Sequence, residues 1–312
     1  MNNINLIHTD ALEGFQSISD SSVDLIIADP PYNLRKDYGN DSDNKSKEEY
    51  LKFTRSWLKE AVRVLKNNGT IYVFMGVRFI SHLYIILEEE CGLEFNSWIV
   101  WHYTQGMGKT KGFSPRHDDI LMFTKGKKPS FNLDDVRIPQ KFYRQRNNMR
   151  GANPGDVWEF SHVHYSNPNR KPHPTQKPEG LVERLVLASS SKNALVLDPF
   201  SGSGTTARVC QQLERSFIGF EINSEYVEMT NERLNDAFES FDSIDPRSKR
   251  VPNDLRKEEI RKEYLKNHIN WFLSHHRNAY EDFRKNVLEK YNLDINEIDK
   301  ETTLPLDIFS DK

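Results

Sequence analysis

Cysteine is scarce in this sequence, and the residue classes that are missing restrict the possible functions. Only two cysteines, Cys91 and Cys210, occur among 312 residues. They lie far apart without other ligands at metal-binding spacing, which argues against a disulfide framework and a structural zinc site. No apolar run approaches the roughly 20 residues that a membrane-spanning helix requires. The first residues lack the basic and apolar regions of a signal peptide, so we expect a cytoplasmic protein.

A large excess of basic residues is also absent, but the charges are unevenly distributed along the chain. The net charge is −3, whereas residues 109–177 contain fourteen Lys and Arg against six Asp and Glu, a local charge of +8. A basic surface on an otherwise acidic protein is typical of nucleic-acid binding. From charge alone, a solvated basic loop region without a ligand is an equally good interpretation.

Apolar residues follow strand-like and helix-like periods alternately in two blocks of the chain. Val23–Ala28 is a near-continuous apolar run, as in a central strand with both faces covered. Ser46 and Glu49 have the spacing of a capping box and predict a helix that ends at Gly69. Residues 194–241 repeat the alternation of strand and helix. We therefore predict an α/β fold with a doubly wound, mostly parallel Rossmann-like sheet and helices on both faces.

Four segments follow from these patterns. Residues 1–105 form the first α/β block and residues 173–241 the second. Between them, residues 106–172 are rich in glycine, basic and aromatic residues and contain one short apolar strand, which predicts an insertion or small module. Residues 242–312 form charged helical segments. This extension could be a DNA-binding arm, a dimer contact or a helical cap on the sheet, and the sequence leaves these alternatives open.

The stretch "LDPFSGSGTT" lies between a predicted strand and a predicted helix. Glu221 follows Gly202 by nineteen residues, a spacing at which an acidic residue binds a ribose in nucleotide-binding folds. The loop lacks the third glycine of a dinucleotide site and the lysine of a P-loop, and Asp198 would repel a pyrophosphate. A cationic adenosine ligand, S-adenosylmethionine, satisfies these features. A glycine turn that only packs a strand on a helix is the structural alternative, and a nicotinamide-dependent oxidoreductase is the alternative enzyme.

A second loop, "DPPY", directly follows the predicted strand Val23–Ala28. Its prolines stiffen the backbone, so the Asp29 carboxylate and the Pro30 carbonyl are two fixed acceptors. They suit an NH₂ group with two protons, as on adenine or cytosine, and accepting these protons favours the pyramidal nitrogen that attacks a methyl group. Tyr32 offers a flat face on which a flipped base can stack. A proline turn with an anchoring tyrosine is the structural alternative.

Together, "DPPY", the later "DPFSGSG" and "HPTQKP" at residues 173–178 resemble the motifs of the S-adenosylmethionine-dependent DNA amino-methyltransferases. The order, with the catalytic motif first, the cofactor motif last and a target-recognition segment between them, is similar to the β group of that family. The resemblance covers residues 4–236 and implies methylation of the N6 amine of a flipped adenine in a restriction-modification system. Asp29 favours adenine, because Asp in this motif position goes mostly with adenine in the family. Cytosine N4 methylation and a non-catalytic DNA-binding module of the same fold remain alternatives.

The resemblance also implies which residues form the site. Residues 1–105 become the catalytic half, residues 173–241 the cofactor half, and catalysis falls to Asp29, Pro30, Pro31 and Tyr32. Lys177 is expected at the methionine carboxylate, Asp198 at the ammonium and Glu221 at the ribose. The whole expected cofactor set is Asp10, Ala11, Asp29, Lys177, Asp198, Phe200, Ser201, Gly202, Ser203, Gly204, Thr205 and Glu221, with Asp10 and Ala11 beside the adenine of the cofactor. No metal is required, because the sulfonium already activates the methyl group. This interpretation requires both loops to face one cleft.

Double-stranded DNA is the expected partner, and the basic insertion is expected to hold it. Most contacts should be to phosphate, whereas each good bidentate contact to a base edge is worth about 1–3 kcal/mol. The expected DNA-binding residues are Lys109, Lys111, Arg116, Arg144, Arg146 and Arg150, with Lys125 and Arg137 as further basic residues and "YRQRNNMR" as part of the reader. A cognate restriction endonuclease acting on the same site is a further expected partner. We expect a monomer or homodimer without membrane attachment.

Overall fold

One eight-stranded sheet organises the part of the chain that the structure describes. This computed structural model describes residues 3–34, 43–103, 108–138, 152–163 and 170–236. The strands are β1 (Ile4–His8), β2 (Val23–Ala28), β3 (Leu65–Met75), β4 (Glu94–His102), β5 (His117–Thr124), β6 (Val157–Glu159), β7 (Leu195–Asp198) and β8 (Ser216–Glu221). Their order is β1-β8-β7-β2-β3-β5-β4-β6, and every neighbouring pair is parallel except those that β5 makes with β3 and β4. The mostly parallel sheet confirms the predicted fold class.

Helices cover both faces of the sheet. The helices in the same compact unit as the sheet are α1 (Ala11–Gln16), α2 (Lys47–Val64), α3 (Ile80–Ile85) with a π-helical turn at Ile86–Glu90, α5 (Glu179–Ser189), α6 (Thr205–Gln212) and α7 (Ser224–Arg233), and a short helix α4 (Leu133–Val136) lies outside that unit. Ile26 and Ala28 of β2 are buried in one core with residues of α1, α2 and α3. Leu25 and Ile27 are buried in a second core with residues of α5 and α6. Because side chains alternate along a strand, these two cores lie on opposite faces, as a doubly wound sheet requires.

The capping box predicted for α2 is present, but the helix is shorter than predicted. The Ser46 hydroxyl accepts from the Glu49 amide, and the Glu49 carboxylate accepts from the Ser46 amide. The helix ends at Val64 rather than at Gly69. Leu65 continues the apolar helical pattern, but its backbone is already extended and pairs with β2. The competing strand pairing therefore ends the helix, which the periodicity alone does not show.

The predicted insertion contributes two strands to the sheet. Both β5 and β6 fall within residues 106–172, and β5 lies between β3 and β4. The apolar centre of β5 is evident from the sequence, whereas its place between β3 and β4 depends on pairing with both strands. Residues 106–172 therefore share the sheet with the residues before and after them.

The chain divides into two compact units. The first consists of residues 1–132 and 155–248 and contains the sheet, and the second consists of residues 133–154 and 249–312. In the second unit, the described residues form α4 and an antiparallel bridge between Ile138 and Ala152. The predicted helical extension, residues 242–312, lies outside the described residues. Among those described, no helix has both the length and the apolarity needed to cross a membrane.

The sheet reverses its winding between β7 and β2. These strands are neighbours, yet the chain continues from β7 to β8 on one side and from β2 to β3 on the other. The loops after the two strands therefore diverge and leave a crevice at the carboxyl edge of the sheet. Ligands bind at such reversal points in open α/β sheets.

Candidate active site

A large cleft opens at this reversal point, and both loops singled out in the sequence line it. Its volume is about 1420 Å³. Asp29, Pro30, Pro31 and Tyr32 line it after β2, and residues 198–203 line it after β7. The other expected cofactor residues Asp10, Ala11, Lys177, Thr205 and Glu221 also line the cleft, whereas Gly204 does not. The requirement that both loops face one cleft is therefore met.

Both oxygens of the Asp29 carboxylate have partners in the first loop and across the cleft. The Tyr32 hydroxyl donates to Asp29 Oδ1 at 2.9 Å. The Lys177 ammonium forms an ion pair with Asp29 Oδ2, and the Lys177 side chain is only 10% exposed. Buried Tyr50 of α2 donates its hydroxyl to the Pro31 carbonyl at 2.8 Å. The turn is therefore held from inside the protein, in addition to the stiffness of its prolines.

The residue after the catalytic motif is also fixed by side chains that sequence analysis did not single out. Asn33 is buried with a φ of +57°, a conformation in which Asn is tolerated better than most residues. Its side chain exchanges two hydrogen bonds with the backbone of Lys45, each 2.8 Å long. The buried Asp43 carboxylate accepts from the amides of Asn33 and Leu34. The Asn33–Lys45 and Asp43 contacts cross nine to twelve residues, so no local motif indicates them.

The glycine loop after β7 requires glycine at two positions for two physical reasons. Gly202 has a φ of +49° and Gly204 a φ of +71°. A Cβ on Gly204 would lie 2.2 Å from Cγ2 of Thr230, and a Cβ on Gly202 would lie 2.9 Å from Nε2 of His173. Any larger residue would thus be strained and would collide with its surroundings. Gly204 shapes the loop without lining the cleft.

Two carboxylates, buried Asp198 and half-buried Glu221, hold the same loop. Asp198 Oδ1 accepts from the Phe200 amide at 3.0 Å and Oδ2 from the Thr206 hydroxyl at 2.6 Å. Glu221 Oε2 accepts from the Gly202 amide at 2.8 Å. Burial raises the pKa of Asp198 to about 7 and also raises the pKa of Glu221. Such carboxylates lack full charge compensation, so the cleft favours a cationic ligand.

These observations fit S-adenosylmethionine as the ligand of the glycine loop. The cofactor supplies an ammonium and a sulfonium for the acidic residues and a ribose for Glu221, as the resemblance implies. The Ser201 hydroxyl lines this loop and is buried without a hydrogen-bond partner among the described residues. Asp10 caps α1 by accepting from the Leu12 amide at 2.8 Å, and it lines the same cleft. A cationic ligand with polar groups would compensate the carboxylates and give the Ser201 hydroxyl a hydrogen-bond partner.

Lys177 lines the cleft and also contacts the catalytic turn. The resemblance assigns it to the methionine carboxylate, whereas in the structure its ammonium pairs with Asp29 and lies 5.5 Å from the ring centroids of Tyr32 and Phe74. Its backbone carbonyl accepts from the Thr205 hydroxyl at 3.1 Å. The HPTQKP segment therefore connects the glycine loop to the catalytic turn. Nearby His173 is buried, and burial, followed by the charge of Lys177, lowers the pKa of His173 to about 4.

An aromatic wall on the other side of the cleft was missed in the sequence. Ring centroids are 6.5 Å apart for Phe74 and Trp101, 4.9 Å for Trp101 and His162, and 4.0 Å for Tyr103 and His162. All four residues line the cleft. Trp101 and Tyr103 stand at the carboxyl end of β4, beside the edge at which β2 and β3 end. Their position at a strand end is a signal that sequence analysis could have used.

Three of the six predicted DNA-binding residues lie in the part of the chain that the structure describes. Lys109 lines the cleft, Lys111 is exposed, and Arg116 is half-buried with its guanidinium donating to the Pro115 carbonyl at 3.3 Å. The remaining three, Arg144, Arg146 and Arg150, lie outside the described residues together with the whole segment 143–150.

Two further basic residues are used inside the protein. The Lys125 ammonium donates to the carbonyls of Val62 and Leu65 at the end of α2, at 2.8 Å each. Arg137 pairs with Asp134 at 2.7 Å. These two side chains therefore have partners within the protein, and their contact with phosphate stays a prediction. Local charge counts do not distinguish such helix-capping and ion-pairing residues from a binding surface.

The reversal-point cleft, with its acidic glycine loop and rigid proline turn, defines an S-adenosylmethionine-dependent methyltransferase. A family model described as "DNA methylase" matches residues 23–232. The chain therefore belongs to the DNA methylase family, the S-adenosylmethionine-dependent amino-methyltransferases of restriction-modification type. This membership confirms three predictions, namely the family resemblance, an enzyme that acts on DNA, and S-adenosylmethionine as the cofactor. It overturns the oxidoreductase alternative.

Individual relatives and solved structures agree with this assignment. The chain is 58% identical to the Type II methyltransferase M.HpaI of Haemophilus parainfluenzae over 97% of its length and 98% of the relative. It is 37% identical to the DNA adenine methyltransferase YhdJ of Escherichia coli K12, over 74% of the chain and 83% of YhdJ. The M1.HpyAVI–SAM complex superposes with a TM-score of 0.55 and 27% identity, covering 74% of this chain and 98% of that one. The cytosine-N4-specific PvuII DNA methyltransferase shares the fold, with a TM-score of 0.61, 20% identity, and coverage of 86% of this chain and 93% of that one.

Proposed function

We propose that this protein transfers a methyl group from S-adenosylmethionine to the N6 amine of an adenine flipped out of duplex DNA. The observation that carries the proposal is the shared cleft, in which the Asp29 carboxylate and the glycine loop follow two adjacent strands, β2 and β7. Ligands of the two loops would therefore meet at one edge of the sheet, as a direct transfer between them requires.

The proposed roles follow from the donors and acceptors in the cleft. When bound, the cofactor supplies a methyl group activated by the sulfonium. Asp29 and the Pro30 carbonyl accept the amine protons of the base and so favour its pyramidal nucleophilic form. Although Tyr32 and Lys177 already contact Asp29, an ionised carboxylate offers about four acceptor positions, so capacity for the amine remains. The ring of Tyr32 and the aromatic wall of Phe74 and Trp101 provide surfaces for a base and exclude water.

Adenine is favoured over cytosine by two arguments. Asp29 occupies the motif position that goes mostly with adenine in the resembled family, and the relative YhdJ is named a DNA adenine methyltransferase. The cytosine-specific PvuII structure shares only the fold with this chain, at 20% identity. Cytosine N4 remains the second candidate, because its exocyclic amine presents the same two protons to Asp29.

The biological setting proposed here is a restriction-modification pair acting on cytoplasmic DNA. The 58% identity with M.HpaI extends over 97% of the chain, so it includes the segments expected to read DNA. We therefore expect this protein to methylate the same DNA sequence as M.HpaI and to protect it from a cognate endonuclease. The protein is expected to act as a monomer or a homodimer.

The experiment measures transfer of radioactive methyl groups from labelled S-adenosylmethionine to plasmid DNA, followed by digestion to nucleosides. We expect label in N6-methyladenine, and little incorporation into plasmid that M.HpaI has fully methylated beforehand. Label in N4-methylcytosine alone would overturn the choice of base. Undiminished incorporation into the pre-methylated plasmid would overturn the shared target sequence. No incorporation into any DNA would indicate a non-catalytic module.

A further inference from the structure

The loop that leads into β5 carries an aromatic side chain that the protein itself does not use. We call residues 108–116 the rim loop. Phe113 in this loop is 100% exposed. Single exposed apolar residues are common on protein surfaces, so exposure alone has no functional meaning.

The rim loop projects from the edge of the sheet that carries the active site. β4 is antiparallel to β5, which is antiparallel to β3, so β4 runs in the same direction as β3 and β2. The connection from β4 to β5 therefore leaves at the carboxyl edge of the sheet, the edge that also carries the catalytic turn. Gly108, Lys109 and Pro115 of the rim loop line the cleft itself. Phe113 thus lies between two cleft-lining positions of the same short loop.

Hydrogen bonds hold the rim loop in shape although its tip is exposed. The Ser114 hydroxyl accepts from the Lys109 amide at 2.7 Å, which closes the tip. At the base of the loop, the Tyr103 amide donates to the Arg116 carbonyl at 2.9 Å. Gly112 precedes the phenylalanine with a φ of +106°, a conformation that favours glycine. The phenyl ring is therefore presented by a closed turn, which reduces the entropy lost when it inserts into a partner.

The charges near Phe113 indicate what kind of partner it contacts. Lys109 and Lys111 precede Phe113 by four and two residues and are exposed, so the loop that carries the ring also offers two cations to a phosphate backbone. Flipping a base leaves a gap in the stack, and proteins fill or open such gaps with apolar side chains inserted between bases. An exposed ring on a loop with two exposed lysines, at the rim of a cleft proposed for a flipped base, has the properties of such a wedge.

From these observations we infer that Phe113 inserts into the DNA duplex beside the target base pair and stabilises the flipped state of the target base. The inference rests on the proposed function, because it assigns the wedge to the same reaction. Phe113 is then a positioning residue for the substrate, and Lys109 and Lys111 hold the adjacent phosphates. Aromatic stacking on a base contributes enough that replacement by alanine changes an equilibrium by roughly 5- to 150-fold.

The test compares F113A with the wild type on two duplexes that differ only opposite the target base. One has the normal pairing partner, and the other has an abasic site, which already weakens stacking and pairing. We expect F113A to lower kcat/KM by roughly 5- to 150-fold on the normal duplex and by less than about twofold on the abasic one. F113W should retain most of the activity. Because the ring is fully exposed, F113A should melt at the wild-type temperature.

K111A is the matched control, because it alters the same loop but removes a charge instead of the ring. It should weaken binding to both duplexes alike and reduce the salt dependence of binding by about one phosphate contact. Equal losses for F113A on both duplexes, or wild-type kcat/KM on the normal duplex, would overturn the wedge.

Fluorescence of 2-aminopurine at the target position measures flipping independently of methyl transfer. The wild type should raise this fluorescence on the normal duplex, and F113A should lose most of the rise. This signal separates the two proposals, since an inactive wild type that still flips the base would refute the proposed function and leave the wedge supported. Equal fluorescence for F113A and the wild type would refute the wedge.

Discussion

Asp198 shows how one residue can link the fold of the cofactor loop to its ligand. Its carboxylate is buried, accepts from the Phe200 amide and the Thr206 hydroxyl, and has a pKa raised to about 7 by burial. Because the folded pKa lies above the unfolded value near 3.8, the contribution of Asp198 to stability is fully present below about pH 4. It decreases as the pH rises and is lost once the pH passes about 7.

We therefore expect the unfolding free energy of the D198N variant, relative to that of the wild type, to increase as the pH rises from 4 to 8. One pKa unit corresponds to about 1.4 kcal/mol, so the relative change should reach roughly 4 kcal/mol at most. Urea unfolding of both proteins across this range measures it. The comparison with D198N is needed because burial lowers the pKa of His173 to about 4, which has the opposite effect on the wild-type curve. Parallel curves for the two proteins would contradict the prediction.

The residues of the site were predictable where a strand end and a short motif coincide. Asp29, Asp198 and Glu221 each end a strand or follow one, and all three line the cleft. The contact of Lys177 with Asp29 was not predictable, because it joins positions 148 residues apart. Sequence spacing indicates which residues share an edge of the sheet, but side-chain packing decides which of them touch.

At the scale of helices and loops, a buried arginine connects three elements around the glycine loop. Arg233, in the last turn of α7, donates to the Ser203 carbonyl at 2.6 Å and to the Thr205 hydroxyl at 3.1 Å. Its other terminal nitrogen pairs with Glu179 at the start of α5, at 2.7 Å. Arg208 of α6 also pairs with Glu179, at 3.1 Å. The cofactor loop is therefore positioned by a side chain of α7, because its own glycines have no side chains with which to hold it.

We expect the R233K variant to raise the KM for S-adenosylmethionine about tenfold while kcat stays within about threefold of the wild type. A lysine keeps the charge but cannot hold the loop and Glu179 at once, and a hydrogen bond to a charged group is worth about 1.5–3 kcal/mol. Initial rates at varied cofactor concentration measure both constants.

Arg63 provides the control for this prediction. It also bridges several groups, donating to Asp20, to Glu60 and to the Phe15 carbonyl, but it does not touch the cofactor loop. R63K should lower stability without changing the KM for the cofactor. The same rise in KM for both variants would reduce the role of Arg233 to general stability.

Elements were predictable from sequence where local signals agree with the tertiary structure. The apolar run of β2 and the capping box of α2 both appear as predicted. The predicted end of α2 was wrong, because the pairing of Leu65 with β2 outweighs the helical periodicity of the sequence. The antiparallel direction of β5 depends on its pairing with β3 and β4, so it cannot be predicted from the residues of β5 alone.

At the scale of the whole molecule, the order of the motifs along the chain differs from their order in space. β2 comes early and β7 late in the sequence, yet they pair directly at the centre of the sheet. The ion pair between Asp29 and Lys177 spans the two halves, and the side chains are 22% and 10% exposed. Partly buried pairs of this kind couple their partners more strongly than surface pairs, because removing one charge leaves the other poorly solvated.

A double-mutant cycle with D29N and K177M should therefore show coupling in the free energy of unfolding. We expect the double variant to lose less stability than the sum of the losses of the two single variants. The difference, the interaction energy, should be about 1–3 kcal/mol. The pair Lys192–Glu214 is the control, since its side chains are 72% and 59% exposed and its coupling should stay below about 1 kcal/mol. Urea unfolding measures stability, and methyl incorporation should be lost in both variants that contain D29N. Additive effects of D29N and K177M on the unfolding free energy would show that the two halves are joined by the sheet alone. Methyl transfer by D29N would show that Asp29 is not required for catalysis.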